Sequence, residues 1–136
     1  AEGIFRKYLA EKLQCKVDQL EQVGYKVGSG GVMNTSGFPA SAGALAACAA
    51  KGIDLSAHRN KGLSKELIEE YDFIFAMEQI HKDSIIALSH EAADKCFLLA
   101  GDRGINDPIG HPQEYFNNCA DMIEASVKER ISEFVI

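Results

Sequence analysis

The apolar and polar positions of this chain alternate between two patterns. Apolar residues three or four positions apart, together with capping signals, predict helices over 1–13, 41–51, 65–70, 79–88 and 113–134. Short apolar runs predict strands over 72–77 and 95–100, and a further strand is predicted over 25–29. Helices that alternate with strands indicate an α/β fold, in which a parallel sheet is joined by crossover helices.

Individual residues predict where some helices begin and end and which faces they bury. Ser41 and Ser64 are placed to cap the helices that follow them, and Gly52 is placed to end the first of these. In the helix over 79–88 we expect three apolar side chains to pack inward: Ile80, Ile85 and Leu88.

Length and charge narrow the possible classes of function. The 136 residues suffice for one domain, and 46% hydrophobic with 25% charged residues is typical of a folded domain. A net charge of -6 disfavours nucleic acid as a partner, and the dispersed lysines and arginines predict no membrane-binding patch. No apolar stretch reaches the roughly 20 residues of a membrane span, and the N-terminal segment is unlike a signal peptide. A cytoplasmic location is the default prediction.

The most specific chemical signal is Asp107-Pro108-Ile109-Gly110, which follows a predicted strand. A proline after Asp107 restricts the aspartate backbone to extended conformations and can fix the direction of its carboxylate. A carboxyl group beside an apolar neighbour such as Ile109 can act as a proton donor. Taken alone, the same residues are also a common turn ahead of the last helix.

Two further segments contain candidate polar groups. His58 follows the Gly52 helix end, and the residues alone favour a structural hydrogen-bonding role for it over that of a base or metal ligand. The Ser29-Gly30-Gly31 turn could present backbone N–H groups to an anion, or be only a tight turn.

The four cysteines offer neither a metal site nor a nucleophile. Cys15, Cys48, Cys96 and Cys119 form no Cys-x-x-Cys pair, so we expect no metal. A cysteine that cleaves phosphate esters needs backbone donors and an arginine around the phosphoryl oxygens, which one loop supplies when five residues separate Cys from Arg. None has an arginine at that spacing; six residues of predicted strand and loop separate Cys96 from Arg103. The cysteines that we expect to be buried small hydrophobic residues are Cys48, Cys96 and Cys119.

Taken in order, these segments resemble the low-molecular-weight protein-tyrosine-phosphatase family, which includes bacterial protein-arginine phosphatases. Its second strand and the turn after it are similar to 25–32, and its segment with a structural histidine is similar to 52–59. Its third strand is similar to 71–77, and its general-acid motif matches Asp107-Pro108. The resemblance implies a three-layer α/β sandwich with a short parallel sheet of strand order 2-1-3-4 and helices on both faces.

The resemblance also implies roles for individual residues. Asp107 is expected to be the general acid and base, and Ser29 and His58 to hydrogen-bond to and brace the phosphate-binding loop. Pro108 and Ile109 are expected to flank the substrate, which would be a phosphorylated protein or a small phosphate ester. No metal or organic cofactor is expected. Because tyrosine-directed relatives have aromatic residues after Asp-Pro, the Ile109-Gly110 pair leaves phosphotyrosine and phosphoarginine both open.

The chain departs from the family pattern at its start. It begins at Ala1-Glu2-Gly3, where the residues resemble those that directly follow the family's Cys-x5-Arg-Ser loop. We therefore expect residues 1–136 to be a single domain that lacks the first strand, the nucleophilic cysteine and the phosphate-binding arginine, and to be inactive as written. The alternatives are a non-catalytic pseudophosphatase that binds protein and a relative of arsenate reductase, for which the loop after Cys96 lacks the redox cysteine pair.

Overall fold

The computed structural model describes residues 1–33 and 35–135. These residues form an α/β fold whose two strands pair in parallel, with Ile74 opposite Cys96 and Ala76 opposite Leu98. The elements in chain order are α1 (Glu2–Leu13), α2 (Ala42–Ala49), α3 (Lys65–Glu70), β1 (Ile74–Ala76), α4 (Gln79–Leu88), β2 (Cys96–Leu98) and α5 (Gln113–Phe134), with short 3₁₀ helices at Val17–Gln19 and His90–Asp94. The α/β fold predicted from the sequence is confirmed. No helix within the described ranges is both long and apolar enough to cross a membrane.

Side-chain caps and one glycine set the ends of the middle helices, as predicted. The Ser41 hydroxyl accepts a hydrogen bond from the Ala44 N–H at 3.4 Å, and the Ser64 hydroxyl accepts one from the Leu67 N–H at 3.1 Å. Gly52 has a φ of 76°, which is unfavourable for residues with a side chain. The chain can therefore turn directly after α2.

The predicted strand over 25–29 is wrong. This segment forms no strand, because among the described residues no strand runs beside it to pair with its N–H and C=O groups. Side chains hold it instead. Arg6 Nη2 donates to the Val27 carbonyl at 2.7 Å, Lys26 pairs with Glu70 at 2.6 Å, and the Tyr71 hydroxyl packs directly against Gly28.

Two apolar clusters bury the faces of the helices. The larger lies where α1 and α2 pack on α5, and its buried members include Ile4, Leu9, Ala47, Leu99, Ile105, Val127 and Ile131. The smaller lies around the β1–β2 pair, and it contains Ile68, Ala76, Ile85, Ala92 and Cys96. Removing this apolar surface from water is the main force that holds the helices to the sheet.

Helix α4 buries less than its sequence predicts. Ile85 is buried, but Ile80 and Leu88 are exposed, so the inward packing predicted for these two residues is wrong. Five positions along a helix rotate a side chain by about 140° net, so Ile80 and Ile85 face different directions. Leu88 is the last residue of the helix.

Helix α5 packs closely on α2. The Phe116 ring contacts the backbone of Gly43, and a Cβ atom at Gly43 would lie 2.5 Å from that ring. The Gln113 side chain donates to the Gly43 carbonyl at 3.0 Å. These contacts fix the start of α5, and with it the loop that precedes the helix.

Candidate active site

Asp107 lies in the loop that connects β2 to α5. Ile105, two residues earlier, is buried, and its N–H donates to the Met77 carbonyl at 2.8 Å. Met77 directly follows β1, and the carboxyl ends of parallel strands lie at the same edge of a sheet. The loop therefore passes the carboxyl edge of the sheet, where α/β proteins bind their ligands.

The Asp107 carboxylate is exposed but held in one direction. Its Oδ1 accepts a hydrogen bond from the Ile109 N–H at 3.0 Å. The His111 N–H donates to the Pro108 carbonyl at 3.0 Å, and Gly110 has a φ of 81°, so the loop closes as a turn before α5 begins. One carboxylate oxygen is thus engaged by the loop, and the other has no hydrogen-bond partner among the described residues.

Ser29 and His58, the two residues predicted to brace a phosphate-binding loop, meet at one carboxylate. The Ser29 hydroxyl donates to Glu2 Oε1 at 2.9 Å. His58 Nδ1 lies 3.8 Å from Glu2 Oε2, and Arg6 Nη2 lies 3.3 Å from the same oxygen. Glu2 stands in the first turn of α1, so these contacts fix the start of that helix.

Glu2 and Arg6 were not singled out from the sequence. Their spacing of four residues on one helix face, with the acidic residue in the first turn, is a usable signal of an ion pair. Nothing in the sequence shows that Ser29 and His58 would reach the same carboxylate. The described hydrogen bonds and ion pairs do not join Asp107 to this cluster.

Pro108 and Ile109, predicted to flank a substrate, occupy the outer surface of the loop. Pro108 is half-buried, and 62% of Ile109 is exposed. Their position beside the Asp107 carboxylate is compatible with that role, which stays a prediction.

The described cysteines do not resemble nucleophiles. Cys48 and Cys96 are buried and Cys119 is half-buried, and burial raises the pKa of all three thiols. A nucleophilic cysteine needs the opposite shift, because the thiolate is the attacking species. Over the ranges 1–33 and 35–135, no group of three His, Cys, Asp or Glu side chains is placed to hold a metal ion.

Comparisons with known proteins agree on one family. A family model described as Low molecular weight phosphotyrosine protein phosphatase matches residues 1–134. A protein-arginine-phosphatase of Geobacillus stearothermophilus is 36% identical over 81% of this chain and 76% of that relative. The low molecular weight protein-tyrosine-phosphatase Etp of Escherichia coli strain K12 is 32% identical over 78% of this chain and 74% of that protein.

Known structures give the same answer. The crystal structure of the low molecular weight protein tyrosine phosphatase from T. tengcongensis superposes with a TM-score of 0.84 at 30% identity, over 98% of this chain and 88% of that one. The fold and the matches define a domain of the protein phosphatase class. The chain belongs to the low molecular weight phosphotyrosine protein phosphatase family. The resemblance found in the sequence is confirmed.

Proposed function

We propose that residues 1–136 form one phosphatase domain that supplies the acid–base group for removing phosphate from phosphorylated protein side chains or small phosphate esters. The observation that supports this most directly is the exposed Asp107 carboxylate, oriented by the Ile109 N–H at the edge of the sheet where ligands bind. Membership of the family adds the substrate class. A cytoplasmic location stays a prediction.

The proposed reaction has two steps. A cysteine thiolate attacks phosphorus, the bond from phosphorus to the leaving oxygen or nitrogen breaks, and protonated Asp107 gives its proton to the leaving atom. Asp107, now a carboxylate, then takes a proton from a water molecule that attacks the phospho-cysteine. The phosphorus–sulfur bond breaks, which releases inorganic phosphate and restores the thiolate.

The proposed role of Ser29 and His58 is to hold Glu2 and thereby the first turn of α1. A phosphate-binding loop joined ahead of Ala1 would enter α1 at this point, so its geometry would depend on the same contacts. The two residues would act on the reaction by positioning that loop and would not touch the reacting atoms.

We further propose that the 136 residues alone do not catalyse this reaction. None of their four cysteines is followed by an arginine at the required spacing, and the described thiols with shifted pKa values are shifted upward by burial. The purified chain should hydrolyse para-nitrophenyl phosphate no faster than buffer does. Turnover that Asp107→Asn abolishes would disprove this part of the proposal.

A completed chain tests the role of Asp107. A strand and a Cys-x5-Arg-Ser loop joined ahead of Ala1 should create phosphatase activity, and Asp107→Asn should lower the rate on an ester with a poor leaving group by about 10²–10⁴-fold. Asp102→Asn, which changes another exposed aspartate of the same loop, is the matched control and should have little effect. Equal rates for Asp107→Asn and the control would reduce Asp107 to a turn residue. Phosphotyrosine and phosphoarginine peptides assayed side by side would decide the substrate.

The second candidate is a non-catalytic domain that binds a phosphorylated protein. Three of its most exposed large apolar side chains are Met33, Ile80 and Ile109. Exposed apolar side chains suit a protein partner. Binding of a phosphopeptide, but not of its unphosphorylated form, by the chain of 136 residues would favour this candidate. An arsenate reductase gains no support, because Cys96 is buried and no second cysteine follows in its loop.

A further inference from the structure

We infer that Cys119 is a positioning residue for the general acid: its thiol holds the Asp107 loop against α5 by donating a hydrogen bond to the Asn106 carbonyl. The inference rests on the proposed function of Asp107. Cys119 Sγ lies 3.8 Å from the Asn106 oxygen, which is within hydrogen-bonding distance for sulfur. The carbonyl that it contacts belongs to the residue directly before the aspartate.

The contact joins an exposed stretch of the loop to helix α5. Ile105 is anchored at the edge of the sheet by its burial and its bond to Met77, but Asn106 and Asp107 are exposed. Among the described side chains, the Cys119 thiol is the one that hydrogen-bonds to the Asn106 backbone. Without it, the backbone that carries the carboxylate would be held only from its two ends.

Helix α5 provides a rigid support for this thiol. Cys119 lies in the second turn of α5, next to the turn in which Phe116 packs on Gly43. Gln113 ties the first turn to the same glycine. The thiol therefore has a fixed position relative to α2, and its hydrogen bond transfers that position to the loop.

The thiol is in the state that can donate. Burial is the largest influence on the pKa of Cys119 and raises it; the positive N-terminus lowers the pKa and Asp107 raises it, and the net shift is upward. At neutral pH the sulfur therefore carries its proton, and the carbonyl of Asn106 can accept it. A side chain that only filled space could be replaced by any residue of the same volume, whereas a donor could not.

Hydrogen exchange in the chain of 136 residues tests the loop directly. Cys119→Val keeps nearly the same volume but removes the donor, and Cys119→Ser keeps a donor. The Ile109 amide, which bonds to Asp107, should exchange about threefold faster in Cys119→Val, as expected for loss of one weak hydrogen bond, and at the wild-type rate in Cys119→Ser. Cys48→Val changes a buried thiol on α2 and is the control for general loss of stability. Equal Ile109 rates in Cys119→Val and Cys119→Ser would overturn the inference.

Leaving-group dependence in the completed chain tests the catalytic consequence. A misplaced general acid slows esters with poor leaving groups and spares esters whose leaving group needs no proton. Cys119→Val should lower the rate on phenyl phosphate about threefold relative to that on dinitrophenyl phosphate, and Cys119→Ser should restore the ratio. If Asp107→Asn changed the ratio of the two rates and Cys119→Val did not, the inference about Cys119 would be overturned, while the proposed function of Asp107 would stand.

The two tests separate the inference from the proposed function. If Asp107→Asn left the ratio of the two rates unchanged, the proposed function would fail, and a positioning role for Cys119 would fail with it. Exchange at Ile109 would still decide whether the thiol holds the loop. If Cys119→Val lowered overall stability, its Ile109 exchange rate would be compared with that in Cys48→Val, and an equal increase in both variants would overturn the inference.

Discussion

Two segments of this chain were predicted to be strands and have different structures. Residues 95–100 contain a short apolar run, whereas residues 25–29 mix apolar with polar and glycine positions. The first contains β2, which forms a parallel ladder with β1. The second has no ladder and is held by Arg6, Glu70 and Tyr71 through side-chain contacts. A segment whose sequence favours a strand therefore pairs only where a neighbouring strand supplies the hydrogen-bonding partners.

The two kinds of attachment should respond differently to change. A ladder uses backbone groups that every residue carries, so single side-chain substitutions leave its hydrogen bonds in place. A segment held by side chains depends on the individual residues that form its contacts. The measurements below test this contrast.

Amide hydrogen exchange should show the largest difference. The Ile74 N–H donates to Lys95 in the ladder, and the Leu99 N–H donates to Ala76. No described backbone hydrogen bond engages the N–H groups of Val27 and Gly28. Because unbonded amides exchange without local unfolding, the amides of Val27 and Gly28 should exchange much faster than those of Ile74 and Leu99 in a native-state experiment. Similar protection of both pairs would mean that segment 25–29 is paired in solution.

The second largest effect should be the loss of stability when a methyl group is added at Gly28. The added Cβ would collide with the Tyr71 hydroxyl, so Gly28→Ala should lower the free energy of unfolding by about 1–3 kcal/mol. Gly31→Ala is the control, because its Cβ would meet nothing nearer than the Lys61 carbonyl at 4.0 Å. Denaturation in urea measures both. Equal stability of the two variants would show that Tyr71 does not hold the segment.

Removal of the Tyr71 hydroxyl should change the free energy of unfolding by less than Gly28→Ala does, and in the opposite direction. The hydroxyl oxygen is buried and has no hydrogen-bond partner among the described residues, and burial raises the pKa of Tyr71. Tyr71→Phe should therefore be neutral or stabilising by up to about 1 kcal/mol. It should also recover part of the loss in Gly28→Ala, which a double-mutant cycle measures. A clear loss of stability in Tyr71→Phe would reveal a partner for the hydroxyl.

The smallest expected effect concerns α1, which carries the arginine that holds segment 25–29. A hydrogen bond from the Tyr8 hydroxyl to Glu124, at 2.7 Å, lowers the pKa of Glu124 and raises that of Tyr8 to about 12. Because the folded pKa of Glu124 is depressed, its contribution to stability is present above the unfolded value of about 4.3 and is lost as pH falls through the folded pKa. Glu124→Gln should flatten the pH dependence of stability in this acidic range.

The same hydrogen bond has an alkaline consequence. Because the folded pKa of Tyr8 is raised, its contribution is present below the unfolded value of about 10 and is lost as pH rises toward about 12. Glu124→Gln should lower the pKa of Tyr8 in a spectrophotometric titration of the tyrosines. Glu21→Gln, which alters an exposed carboxylate, is the control for both the acidic stability measurement and the alkaline titration. A tyrosine titration identical in the two variants would contradict the assignment.

The helices were the most predictable part of the fold. Their signals are local: Ser41 and Ser64 cap from three residues away, and α5 shows its apolar face in its own sequence. The strand over 25–29 could not be judged in this way, because pairing depends on what lies beside it. The exposure of Ile80 could have been predicted, because its spacing of five residues from the buried Ile85 places the two side chains on different faces of α4.

The candidate site was predictable in its parts and not in its connections. The sequence singled out Asp107, Ser29 and His58 by type, by neighbouring residues and by resemblance. It did not show that Ser29 and His58 meet at Glu2, or that Cys119 reaches the carbonyl before Asp107. Each of these contacts joins elements that are far apart in the chain.

The helices and the turn at Asp107-Pro108 could be predicted from the sequence, because dihedral preferences, caps and apolar periods act within a few residues; the family followed from the resemblance of the segments in order. The sequence also determined that none of the four cysteines has an arginine at catalytic spacing. The three-dimensional packing was needed to show that Ser29 and His58 meet at Glu2 and that Cys119 contacts the loop of Asp107. Such contacts depend on how α1 and α5 pack, since a hydrogen bond needs its two atoms within about 3–4 Å and no local pattern fixes the distance between distant segments.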